Sequence, residues 1–224
     1  LLHTWSLSVE EQFYLFVPVF LLLLAKRAKL NRAFLLLAAA ALVSFGLSVF
    51  WRQRHPTTNF YLLPTRAWEL FAGALLAFSP ACGIKDKKWL NELLALAGMA
   101  LILVPCFVYD HKTPFPGLAA LPPVLGSALL IWIGSAPAGF SIMGRLLAAK
   151  PVVFIGLISY SLYLWHWPLF SLARYMSVKS PATVVWWGLI LASVVLAALT
   201  WRFVETPFRQ RKVLAARPRL FVVT

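Results

Sequence analysis

The chain has 224 residues, of which 61% are hydrophobic and only 12% charged, and its mean hydropathy is +0.80. A soluble domain of this length needs more polar residues to cover its surface, so the composition excludes an ordinary soluble protein. The net charge of +14 does not indicate nucleic-acid binding, because the basic residues lie at the ends of apolar segments. We therefore predict a membrane protein with no nucleic-acid partner.

Seven apolar segments each approach the ~17–25 residues that a membrane-spanning helix requires. They cover residues 8–25, 33–50, 63–78, 90–107, 118–133, 152–172 and 183–203. The third and fifth are short, and we expect them to be tilted or partly re-entrant. The predicted fold class is therefore all-α, a polytopic transmembrane helix bundle.

The first span begins with polar and ionisable side chains, between His3 and Tyr14. A charged group inside a membrane costs roughly 2.5–3.5 kcal/mol on insertion scales, so such groups usually face a polar interior. Ser6, Glu10 and Tyr14 are each four residues apart and share one helical face, and His3 lies one turn earlier. We predict that this face is wet or functional.

The third span begins with Arg66 and Glu69, which are three residues apart and can pair on one helical face. An arginine beside helices that carry acids can bind a phosphate or carboxylate of a substrate. The alternative is an internal ion pair that only fixes helix packing. The sequence leaves both interpretations open.

The sixth span carries Ser159, Tyr163 and His166 on one stripe, at i, i+4 and i+7. Pro168 removes a backbone donor, so the helix can kink beside His166. An imidazole can accept a proton near neutral pH, which makes His166 a candidate base. The alternative is an interfacial histidine within an aromatic belt, since tryptophans flank it on both sides.

The seventh span ends in a basic segment that contains one acid, Glu205. We predict that Pro207 ends this helix and that Glu205 is structural, paired with Arg202 or Arg209.

The distribution of lysine and arginine orients the bundle. Fifteen of the 21 lie in one set of alternate loops, and the richer side of a membrane protein faces the cytoplasm. The opening motif then lies outside and the tail after residue 203 lies inside. Cys82 and Cys106 fall on opposite sides, so we expect neither a disulfide nor a metal site.

Four stretches together resemble the acyltransferase-3 family of membrane O-acyltransferases. They are HTWSLSVEEQFYL at 3–15, RAWELFAGALLA at 66–77, FIGLISYSLYLWHWPLF at 154–170 and FVETPFR at 203–209. Their order and spacing across nearly the whole chain make the resemblance specific, whereas any one of them alone would be a weak signal.

The resemblance implies transfer of an acyl group, typically acetyl, from cytoplasmic acetyl-CoA or another acyl-CoA to hydroxyls of a cell-surface glycan. The acceptor would be lipopolysaccharide, exopolysaccharide or peptidoglycan, and the location the bacterial inner membrane, in contact with lipid. No metal is implied. Family members have about ten helices, and this chain resembles the last seven of them. Residues 1–210 would be the C-terminal part of the acyltransferase domain, and 211–224 a basic cytoplasmic segment leading towards a further span.

The resemblance also implies site residues. The family's essential histidine lies on its first helix and its arginine-rich motif near its third; neither is in this sequence, so we expect this chain alone to be inactive. We predict Glu10 to be catalytic, as the acid that orients that histidine and stabilises its charged form. The predicted substrate-binding residues are His3, Trp5, Ser6, Gln12, Tyr14, Arg66, Glu69, Tyr160, Tyr163 and His166.

A membrane transporter or flippase of a lipid or glycan precursor is the alternative from another functional class. Such a protein would use the same outer pocket for binding without making a bond. Transporters often show matching interrupted helices in two halves, and no such pairing is evident in this sequence. A non-catalytic scaffold is a third interpretation.

Overall fold

The computed structural model describes residues 4–25, 30–78, 87–110, 113–135, 141–177 and 182–210. Every regular element in these ranges is a helix, so the all-α prediction is confirmed. Several predictions lie outside the described residues. They concern His3, Cys82, the basic loop residues 26–29, Lys85, Lys112 and Lys179, and the segment 211–224.

The chain divides into two compact units, Leu1–Leu146 and Leu147–Thr224. The first contains the helices α1 (Trp5–Ala25), α2 (Leu30–Trp51), α3 (Pro56–Tyr61), α4 (Leu63–Leu76), α5 (Lys88–Val108) and α6 (Leu121–Gly134), with a 3-10 turn (Leu118–Ala120) before α6, and most of α7 (Ile142–Leu147). The second contains α8 (Lys150–Met176), α9 (Thr183–Thr200), a π-helical turn (Trp201–Glu205) and α10 (Thr206–Arg209).

A helix lies at each of the seven predicted spans. Among the described residues, four stretches are long and apolar enough to cross a membrane: Asn31–Trp51, Lys88–Val108, Lys150–Met176 and Thr183–Arg209. Helix α4 has 14 residues and is about 21 Å long, which is less than the ~30 Å hydrocarbon core of a bilayer. The third span is therefore short, as predicted, and a full count of seven crossings stays a prediction.

Helix α4 is attached to α2 by a serine hydroxyl that bonds two of its backbone groups. The Ser44 Oγ donates to the Pro64 carbonyl at 2.6 Å and accepts from the Trp68 amide at 3.0 Å. These two backbone groups are four residues apart and would bond each other in a regular α-helix. Because this turn carries Arg66 and leads to Glu69, the buried Ser44 fixes the part of α4 that presents both side chains.

Two buried polar side chains hold the short helix α3 between α2 and α4. The Asn59 Nδ2 donates to the Ser48 carbonyl at 3.0 Å, and the Thr65 hydroxyl donates to the Asn59 carbonyl at 2.8 Å. Helix α3 begins at Pro56, because a proline in the first turn lacks only an N–H that would have no helical partner there.

Helices α5 and α6 cross at two glycines. A Cβ added to Gly126 would lie 2.5 Å from the Gly98 carbonyl oxygen, and one added to Gly98 would lie 3.1 Å from the Gly126 carbonyl oxygen. Small residues of this kind allow membrane helices to approach backbone to backbone. This crossing fixes α6, one wall of a cavity described below.

In the second unit, α8 runs without interruption through Pro168. The prediction that Pro207 ends the last helix is wrong, because the helical stretch continues to Arg209. A π-helical turn comes first, in which the Thr206 amide bonds the Trp201 carbonyl, and this wider turn accommodates the proline ring. Glu205 pairs with Arg209, with the two charged atoms 3.1 Å apart, and this is one of the two partners predicted for it.

Candidate active site

A small polar cavity of about 70 Å³ lies between α1 and α4 in the first unit. It gathers five of the predicted site residues: Trp5, Ser6 and Glu10 from α1, and Arg66 and Glu69 from α4. The α1 residues share one face because they lie about one turn apart, at 5, 6 and 10. The polar start of the first span therefore opens towards the polar start of the third.

Arg66 and Glu69 form a bidentate ion pair within α4. The Arg66 Nε donates to Glu69 Oε1 at 3.3 Å, and its Nη2 donates to Oε2 at 3.0 Å. The side chains are only 14% and 20% exposed, so solvent screens the pair weakly. The predicted pairing is confirmed, and the Glu69 charge is matched by its neighbour.

The Arg66 guanidinium also lies against three aromatic rings. Its central carbon is 4.9 Å from the ring centre of Trp5, 5.5 Å from that of Phe60 and 5.7 Å from that of Phe115. Cation–π contacts of this kind contribute ~0.5–2 kcal/mol each, more when they are desolvated. Arg66 therefore connects α4 to α1, to α3 and to the segment before α6.

Phe60 and Phe115 were not predicted as site residues. The local signal for Phe115 is its position between Pro114 and Pro116, which restrict the backbone around it. No local sequence pattern predicts that the ring centre of Phe115 lies 6.4 Å from that of Phe60. That distance depends on how α3 and α6 pack.

Glu10 differs from Glu69 in its surroundings. Its side chain is exposed at the cavity, and the two ion pairs among the described residues do not include it. A carboxylate in this position can accept a hydrogen bond from a group that enters the cavity, such as an imidazole N–H or a hydroxyl. The two acids of the site therefore differ, because Glu69 is neutralised within α4 and Glu10 faces outward.

The remaining predicted residues of α1 do not line this cavity. Gln12 is exposed and donates to the Ser8 hydroxyl at 3.4 Å, one turn back on the same helix. Tyr14 is 62% exposed, and its ring contacts Phe13. Helical spacing predicted that Tyr14 shares a face with Glu10, but in this turn it is Phe13 that packs against α4, with its ring centre 5.2 Å from that of Phe71.

In the second unit, Ser159, Tyr163 and His166 line one cavity of about 400 Å³ between α8 and α9. The predicted stripe is therefore confirmed as a shared wall. The His166 Nδ1 lies 3.0 Å from the Leu162 carbonyl, so Nδ1 carries the proton that it donates there, and a neutral ring has its lone pair on Nε2. Tyr160 is 50% exposed and is not part of this wall.

Comparison with known proteins identifies the family. A model of the acyltransferase-3 family, described as an acyltransferase domain, matches residues 1–202. The chain is 32% identical to the peptidoglycan O-acetyltransferase OatA of Listeria monocytogenes, over 93% of this chain and 35% of that protein. It is 30% identical to the O-acetyltransferase OatA of Staphylococcus aureus, over 97% of this chain and 38% of that protein. No solved structure matches.

This chain spans a little over a third of the length of the curated relatives it matches. The match nevertheless runs from the polar motif of α1 through α4 and α8, and it includes both acids of the small cavity and His166. The four motifs were therefore assigned to the right family. The chain belongs to the acyltransferase-3 family of membrane acyltransferases.

Proposed function

We propose that the full-length protein transfers an acyl group, normally acetyl, from cytoplasmic acyl-CoA to a hydroxyl of a cell-surface glycan. The observation that carries this is the shared cavity of Glu10, Arg66 and Glu69 within a family match over residues 1–202. Peptidoglycan is the favoured acceptor, since one relative is named a peptidoglycan O-acetyltransferase. The reaction takes place in the bacterial inner membrane, with the opening motif outside.

The chemistry requires a base, because a sugar hydroxyl is too weakly acidic to attack a thioester unaided. The hydroxyl oxygen forms a bond to the acyl carbon, the carbon–sulfur bond breaks, and the hydroxyl proton ends on the departing thiol. General base catalysis contributes ~10²–10⁴-fold to such a step. The resemblance implies that this base is a histidine on an earlier helix of the family.

Glu10 is the acid we assign to that histidine. Its carboxylate is exposed at the cavity and outside the ion pairs of the described residues, so it can accept the imidazole N–H. It would fix the ring's tautomer and stabilise the imidazolium that forms as the proton moves. Glu69 does not suit this role, because Arg66 already occupies its carboxylate.

The test uses the full-length protein in everted membrane vesicles, which expose the cytoplasmic face. Labelled acetyl-CoA is added, and label in the glycan is followed. We expect Glu10→Gln to lower transfer by at least roughly a hundredfold, because the amide cannot stabilise an imidazolium. Glu11→Gln is the matched control, since it makes the same change at the neighbouring exposed residue of α1.

The result would refute the assignment if a well-expressed Glu10→Gln protein kept the activity of Glu11→Gln. A different result would refute the acyltransferase and support the transporter: no label enters the glycan with wild type or with either variant, while a glycan or lipid precursor still crosses the membrane.

A further inference from the structure

A second, larger cavity lies on the other side of Glu69, between α4 and α6. Its volume is about 360 Å³, within the ~300–1,000 Å³ typical of small-molecule sites. Glu69 lines both this cavity and the small polar one, so the two meet at a single carboxylate. Phe115, which contacts Arg66, also lines it.

The wall of the larger cavity is mostly apolar, and about half of its residues have small side chains. Helix α4 contributes Glu69, Ala72, Gly73 and Leu76, a stripe at i, i+3, i+4 and i+7 that is about 10 Å long. Opposite lie residues of α6 such as Val124 and Ala128. The Ser127 hydroxyl on this wall donates to the Pro123 carbonyl at 2.8 Å, within its own helix. A slot of this shape fits a narrow apolar chain.

The charges of the wall restrict what that chain can be. Glu69 is the one charged residue among those that line the cavity, and Arg66 already neutralises it. Among the described residues, none that lines the cavity is a lysine or arginine, so an anionic headgroup of a phospholipid or polyprenyl phosphate has no cationic partner in this part of the wall. A neutral chain that ends in a neutral thioester carbonyl fits this wall, and the charged part of such a donor would lie outside the cavity.

We propose that the α4–α6 cavity receives the acyl chain of the donor and that Gly73 sets the longest chain accepted. This inference rests on the proposed function and specifies its substrate. The acyl carbon lies at the Glu69 end, beside the cavity that contains Glu10, and the alkyl chain folds back along α4 towards Leu76, the side from which the coenzyme enters. An acetyl group is a single methyl on a carbonyl and fills little of this space, so the cavity accommodates longer acyl groups as well.

Gly73 controls the free space because its Cα faces the cavity. A Cβ added to Gly73 meets no atom within 4 Å, so a larger side chain fits at this position without a clash and extends into the cavity. Gly46 on α2 is equally open but does not line the cavity. Leucine at either position raises helix propensity by the same amount, which makes Gly46→Leu a matched control.

The experiment measures transfer from acetyl-, butyryl- and hexanoyl-CoA by full-length protein in everted vesicles. We expect wild type and Gly46→Leu to use all three donors. Gly73→Leu should lower the hexanoyl-to-acetyl ratio by at least roughly tenfold, since one methylene in a fitted apolar pocket already changes selectivity by 10–200-fold. Gly73→Ala, a smaller change, should lower the same ratio less, and it serves as the test if Gly73→Leu fails to fold.

The inference is overturned if Gly73→Leu and Gly46→Leu show the same donor profile, or if wild type transfers acetyl but no longer chain. It is also overturned if Gly73→Leu loses a co-purifying phospholipid by native mass spectrometry while its donor profile is unchanged, because the occupant is then a membrane lipid. Absence of acetyl transfer by wild type would instead refute the proposed function itself.

Discussion

Arg66 shows how one side chain organises the candidate site. The sequence left open whether it binds a substrate anion or pairs internally, and the structure places its guanidinium in a bidentate pair with Glu69. Its flat face lies near Trp5, Phe60 and Phe115, which come from three separate segments. A guanidinium can both form a forked ion pair and stack on rings, and an ammonium cannot form the same fork. The ion pair and the ring contacts together explain why position 66 is an arginine and not a lysine.

Replacing Arg66 with lysine tests this explanation. Arg66→Lys keeps the charge but loses the fork and most of the stacking, so we expect transfer to fall by roughly tenfold to a hundredfold as Glu69 and Trp5 shift. Arg54→Lys is the control, because Arg54 also stacks on a ring, that of Phe50 at 4.6 Å, but is exposed and outside the cavity. Equal rates for the two variants in the vesicle assay would contradict a positioning role for Arg66.

At the level of the element, α4 is too short to cross a bilayer and depends on tertiary contacts for its position. The Ser44 hydroxyl of α2 makes two hydrogen bonds with the backbone of the first turns of α4. Asn59 and Thr65 fix the same end of α4 through α3. The turn that presents Arg66 is therefore set by α2 rather than by α4 alone.

Removal of this hydroxyl should loosen α4. Ser44→Ala removes the two hydrogen bonds that attach α4 to α2, and each contributes about 0.5–1.5 kcal/mol to stability. We expect a lower melting temperature for the full-length protein in detergent and a loss of transfer. Ser135→Ala also removes a serine-to-carbonyl bond, but at an exposed helix end, and should change little. A melting temperature for Ser44→Ala equal to that of Ser135→Ala would contradict this account.

For the whole molecule, the decisive question is orientation, because donor and acceptor lie on opposite sides of the membrane in the proposed reaction. The basic residues predict that the loop after α5 lies outside and the segment after α10 lies inside. Donor thioester must then reach the site from the side opposite to the opening motif. The α4–α6 cavity is the part of the first unit to which we assign the donor's chain.

Cysteine labelling in intact spheroplasts tests this orientation. Cys82 and Cys106 are first replaced by serine, and Asp110→Cys or Gln210→Cys is then introduced into the full-length protein. An impermeant maleimide should label position 110 at once and position 210 only after permeabilisation, because charged reagents do not cross the bilayer. The opposite pattern would reverse the topology and place the Glu10 cavity on the cytoplasmic side.

Several features of the fold and site were predictable because they depend on local sequence. Apolar length predicts the helices, since a membrane span must satisfy its backbone hydrogen bonds internally. Spacing of three residues predicts the Arg66–Glu69 pair, and the i, i+4, i+7 stripe predicts the shared wall of Ser159, Tyr163 and His166. The prediction that the helix ends at Pro207 is wrong, because the helix continues through a π-helical turn that no local sequence pattern indicates.

The sequence by itself therefore determined the helices, the family and the pairing of near neighbours, since hydropathy and short-range spacing act within one element. Only the tertiary structure decided that α1 contributes Trp5 and Glu10 to the cavity but leaves Gln12 and Tyr14 outside it. It also decided that Phe115 reaches Arg66 and that Gly73 opens into an apolar cavity. These contacts join residues far apart in the chain, and they follow from which helices pack together and which face each helix presents to its neighbour.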